Sequence, residues 1–77
     1  MPFEAQELIR VLMVKANEAA EDAHEAAASG QSGTLLPGDY VLCAKATRIA
    51  AERLSAYASA ALELAREAGQ KSAKAPQ

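Results

Sequence analysis

The sequence predicts an all-α fold: an antiparallel two-helix hairpin, dimerising into a four-helix bundle. Three observations predict it. Small and apolar residues recur in alternating steps of three and four along two long stretches, which keeps one stripe of each facing a partner helix. A Gly/Ser/Pro-containing break separates the stretches, and between Leu8 and Val14 the first is apolar around most of its circumference. Alanine supplies 20 of the 77 residues, so the stripes are narrow enough for two backbones to approach closely.

Helix one is predicted over residues 2–28. Pro2 suits a first helical turn, and Glu4 and Glu7 complement the positive end of the helix dipole. From Phe3 to Ala28 the chain holds good helix formers and no breaker. Its stripe is Ala5, Ile9, Leu12, Ala16, Ala19, Ala23 and Ala26. Ser29 and Gly30 end it, with Gly30 expected as a left-handed cap.

The connection, residues 29–38, is longer than the roughly two to eight residues usual between neighbouring helices of a bundle. Leu35 and Leu36 stand side by side in it, before Pro37. They are expected to fold over the open end of the bundle as a lid; the functional alternative is an exposed docking point for a partner.

Helix two is predicted over residues 39–68, opened by Asp39 as N-cap or first-turn residue and stopped by Gly69. Its stripe is Tyr40, Cys43, Thr47, Ala50, Leu54, Tyr57, Ala61, Leu64 and Ala68, with Thr47 bonding the carbonyl one turn back. A second row of small residues runs through Ala44, Ala51, Ala58 and Ala65. Residues 1–69 thus form one hairpin, followed by a flexible tail at 70–77.

Charge placement is consistent with a hairpin. Glu18, Glu21, Asp22 and Glu25 crowd toward the end of helix one and Lys45, Arg48 and Arg53 toward the start of helix two, each where the dipole disfavours them. With residues 18–25 expected opposite 42–49, the two clusters neutralise each other. The architecture resembles, in fold alone, the small antiparallel hairpin dimers typified by the plasmid-encoded RNA-binding repressor of primer; no motif residues match, and a shared fold implies no shared function.

Size points to a homodimer. A core in a chain of 8.0 kDa rarely supplies more than ~3–5 kcal/mol, and small proteins add disulfides, metals or oligomerisation. One cysteine permits no internal disulfide, and paired Cys/His zinc ligands are missing. The interface is assigned to Leu8, Val11, Leu12, Val14, Leu54, Tyr57 and Leu62.

No catalytic constellation is found, so an enzyme is not expected, nor a cofactor. Glu21, His24 and Glu25 contain the Glu-x-x-His spacing of ferritin-like di-iron bundles, but the facing helix offers no carboxylates at that level, so they are read as solvated. Cys43 is read as a small, buried, reduced thiol. A net charge of −2 and a pI of 5.3 argue against a general nucleic-acid or membrane-surface binder. No stretch approaches the roughly 20 apolar residues of a membrane span, and the cytoplasm is the expected location. The expected function is a non-catalytic interaction or adaptor protein whose partners are a second copy and another protein. The alternatives are a compact RNA- or DNA-binding bundle using Lys45, Arg48 and Arg53 and, third, a ferritin-like metal-binding bundle.

Overall fold

The computed structural model describes residues 3–73. It consists of two helices, α1 (Phe3–Ser29) and α2 (Pro37–Ala73), packed against each other as a hairpin. The Cα atoms extend over 63 × 15 × 13 Å. With 27 and 37 residues, the helices run about 40 and 55 Å at 1.5 Å per residue.

The seam read from the sequence is the one that packs. Ala16, Ala19, Ala50, Ala61 and Ala68 are buried, and every other stripe residue of α1 is half-buried. On α2, Cys43, Thr47, Leu54, Tyr57 and Leu64 are half-buried as well. Tyr40 alone is more open, at 37% exposure. Thr47 donates its hydroxyl to the Cys43 carbonyl at 2.8 Å, so the one polar residue of the stripe enters the seam with a partner.

Helix α2 keeps Asp39 in its first turn, one of the two places expected of it, and departs from expectation at its far end. It begins at Pro37, because the Leu36 carbonyl already accepts the Asp39 and Tyr40 N–H groups at 2.9 and 3.2 Å. Pro37 then occupies the first helical position, where a missing N–H costs nothing, and Asp39 lies in the first turn. At the other end Gly69 does not stop the helix, which runs on to Ala73. Residues 70–73, expected as tail, are helical; residues 74–77 and the remainder of that expectation lie outside the described residues, as does Pro2.

The physical reason at Gly69 is that a glycine terminates a helix when it turns left-handed. No glycine among the described residues has positive φ. Gly69 therefore carries only the propensity penalty, and a Cβ there meets nothing within 4 Å. Gly69→Ala is expected to raise stability by about 0.5–1 kcal/mol, seen as a thermal midpoint several degrees higher. An unchanged or lower midpoint would contradict a continuous helix at this position.

Gly30 likewise is not the left-handed cap expected of it. Its N–H bonds the Ala26 carbonyl at 3.1 Å and Gln31 N–H bonds the Ala28 carbonyl at 3.1 Å, tightening the last turn. What favours glycine is proximity: a Cβ at Gly30 would stand 3.3 Å from the Cys43 Cβ, a tight approach. This contact fixes the register. With Gly30 level with Cys43 and equal rise in both helices, Ala26 lies level with Thr47, Ala19 with Leu54 and Leu12 with Ala61.

The register displaces the charges. Residues 18–25 lie level with residues 48–55, six residues from the expected 42–49. All three salt bridges among the described residues stay within one helix: Arg10–Glu7 at 2.8 Å, Lys15–Glu18 at 3.5 Å and Arg48–Glu52 at 3.7 Å. Lys45 and Arg48 do not neutralise the acidic cluster. Reversing both to glutamate removes a single exposed pair and is expected to cost less than about 1 kcal/mol, against the 1–3 kcal/mol roughly expected of facing clusters. Urea denaturation separates the two.

Candidate functional site

A two-helix hairpin has two flanks along its seam and a back on each helix, and these sort the candidate residues. One flank is a shallow groove where Lys15, Glu18 and Asp22 of α1 meet Arg53 and Tyr57 of α2. Heptad spacing adds Leu8 and Val11, seven residues before Lys15 and Glu18, and Ala46 and Ala60, seven on either side of Arg53. Leu42, Ile49 and Ala56 follow on the same side. The opposite flank is lined by Ala27, Ala44, Arg48 and Ala51 around Gly30 and Cys43. It continues through Ala58 and Ala65, the second small-residue row of the sequence.

The seven residues assigned to a dimer interface divide accordingly. Leu12, Leu54 and Tyr57 are half-buried in the seam of their own hairpin. Leu8, Val11, Val14 and Leu62 are about half exposed. Leu8 and Val11 share the charged flank, Leu62 lies on the alanine flank, and Val14 is on the back of α1. Periodicity could not separate the hairpin's own seam from a surface between copies, because both are built from the same residue types.

The three basic residues spread across the outer side of α2. Arg53 lines the groove with Glu18 and Asp22, Arg48 lines the opposite groove, and Lys45 sits on the back of α2. Steps of three and five residues turn a helix by about 300° and 500°, equivalent to −60° and +140°, so the three span an arc of about 140° with Lys45 between the two arginines. Glu52, paired with Arg48 at 3.7 Å, stands among them, so this side of α2 is of mixed charge.

Glu21, His24 and Glu25 are exposed on α1 and line a surface depression formed by α1 residues alone. The Glu21 carboxylate accepts the Asn17 amide at 3.0 Å. Among the described residues no group of three or more His, Cys, Asp or Glu side chains converges as a metal site. Cys43 is a half-buried free thiol, and its contact with Gly30 is packing.

The loop end separates two leucines that the sequence places together. Leu35 is half-buried, as a lid requires. Leu36 is 71% exposed, and Leu42 is 65% exposed. The register explains the exposure: with Cys43 level with Gly30, residues 37–42 stand beyond the last turn of α1. Only the loop covers them, held by the Tyr40 hydroxyl donating to the Ser32 carbonyl. The signal in the sequence was the length of the connection, which is spent on climbing back along this overhang.

Among the described residues no helix is long and apolar enough to cross a membrane. No protein-family model, curated protein or solved structure matches the chain.

Proposed function

We propose that the protein is a non-catalytic interaction or adaptor protein, working as a homodimeric four-helix bundle whose loop end contacts another protein. One observation carries the reading. Among the described residues nothing larger than alanine is buried, while Leu8, Val11, Met13, Val14, Ile49 and Leu62 each stand about half exposed.

The magnitude supports a second copy. The chain exposes 5755 Å², whereas a folded monomer of this mass exposes about 4,450 Å². The difference, roughly 1,300 Å² on that scaling, exceeds the ~800 Å² per partner that a standard specific interface covers. Apolar surface left in water forfeits about 25 cal/mol per Å², a large loss for a domain whose own core is a row of methyl groups.

The loop end supports the contact with another protein. Leu36, Val41 and Leu42 form an exposed apolar tip on an overhang of α2, held in place by Tyr40 and Ser32. Long connections that keep their shape are more often functional than short ones.

Sedimentation equilibrium at micromolar concentration tests the assembly: twice 8.0 kDa is expected, and a cooperatively folded helical monomer would overturn it. Affinity capture from the native host tests the contact. A protein retained by the wild type and lost with Leu36→Glu or Leu42→Glu, in variants that remain dimeric, is expected. Retention by both variants would remove the loop end from the reading.

A further inference from the structure

We infer that the second copy docks on the charged flank, with the two-fold axis running along the bundle, so that α1 of one protomer lies against α2 of its partner. This rests on the homodimeric reading above and adds to it the face and the symmetry.

A two-fold interface applies one patch to itself, so the patch must complement its own image. The charged flank does. In α1 numbering, Val11 stands two residues from the level of Ala60 of α2, Leu8 falls between the levels of Ala60 and Glu67, and Glu18 and Asp22 bracket Arg53, as their shared groove requires. An axis along the bundle preserves level. It lays Val11 of one protomer over the Ala60 position of its partner, and sets Arg53 of one between Glu18 and Asp22 of the other. Each contact occurs twice. Arg53 makes no salt bridge among the described residues of its own hairpin, so the guanidinium is available for this pairing.

The two other arrangements fail on charge. An axis crossing the helices at mid-length reverses level, which lays Arg53 close to its own copy and Glu18 close to its own copy, like on like. It also places Leu8 and Val11 against Glu25 and Ser29. The alanine flank is smoother, but its charged members are all cations: Arg66, about five turns along α2 from Arg48, and Arg10 and Arg48 themselves. Their carboxylate partners, Glu7 and Glu52, sit on the helix backs. An axis along the bundle on that flank sets Arg10 of one protomer only three residues from the level of Arg66 of the other, and like charges across an interface are strongly disfavoured.

Cross-linking decides it. In a Cys43→Ala background, Val11→Cys and Ala60→Cys chains are mixed and oxidised under mild conditions. A disulfide joining the two different chains is expected, with little product from either alone. In the same background Arg53→Cys is expected not to cross-link to itself. Efficient Arg53→Cys self-coupling with no product from the mixed chains would overturn the axis. A dimer dissociated by Ala51→Glu but left intact by Arg53→Glu would overturn the face. A monomer in sedimentation equilibrium before any substitution would overturn the homodimeric reading itself, which keeps the two failures apart.

Discussion

Ala50→Leu is expected to destabilise the hairpin by about 1–3 kcal/mol, the usual cost of forcing extra methylenes into a packed site. For a domain of this size each kcal/mol moves the thermal midpoint by roughly 4–8 °C, so a fall of about 5–20 °C is anticipated. Ala50 is 4% exposed and lies level with Ala23, where both helices carry only a methyl group. A leucine there has no empty space to enter and pushes the backbones apart. The effect spreads, because Ala19 and Ala61, at 3% and 5% exposure, lie in the same seam and lose contact together.

The control is Ala28→Leu, an exposed position on α1 where a change within about ±0.5 kcal/mol is expected. Equal midpoints for Ala50→Leu and wild type, followed by calorimetry, would mean that the helices are not held at alanine distance. A larger midpoint for Ala50→Leu would mean that the seam holds a void, which contradicts the burial of its alanines.

The seam was legible in the sequence and the register was not, for a single reason. Heptad spacing names the residues that face inward, but sliding one helix by seven residues puts the same stripe on the same stripe. The expected pairing of 18–25 with 42–49 is close to that slipped solution. It would set Leu12 level with Leu54 and Ile9 with Tyr57, while Ala16 met Ala50, a seam wide at one end and hollow in the middle. The observed register sets Leu12 level with Ala61, Tyr57 with Ala16 and Leu54 with Ala19. Large faces small, so the helices stay evenly spaced and Gly30 closes on Cys43.

The same slip explains the other departures. Charge patterns over four or five residues cannot distinguish registers when acids and bases are spread along whole helices, and here Lys15, Arg48 and Arg10 found partners one turn away. Leu35 and Leu36 read as a pair because adjacent residues in a loop carry no period. The overhang of α2 beyond Gly30, set by the register, is what turns one inward and leaves the other in solvent. Gly69 misled for a different reason: glycine marks a helix end only when the backbone there turns left-handed, and composition does not reveal φ.

Val11→Glu is expected to abolish dimerisation and, with it, the concentration dependence of unfolding. For a dimer that unfolds to monomers, tenfold dilution lowers stability by about 1.4 kcal/mol, so the wild-type midpoint should climb steadily with concentration. Val11 is 50% exposed in the hairpin, which makes glutamate tolerable to the isolated protomer and intolerable once a second copy covers it. Each dimer would bury two new carboxylates on a flank that already carries Glu18, Asp22 and Glu25. An unpaired buried charge costs about 3–5 kcal/mol, more than such an interface has to spare at micromolar protein. The variant should sediment at 8.0 kDa and, if still helical, melt at one temperature at every concentration. Ser59→Glu, on the exposed back of α2, should remain dimeric and keep the wild-type dependence. A Val11→Glu protein whose midpoint rises with concentration as the wild type's does would show that this flank is open in the assembled state. The excess surface of the hairpin would then have to be covered from another side.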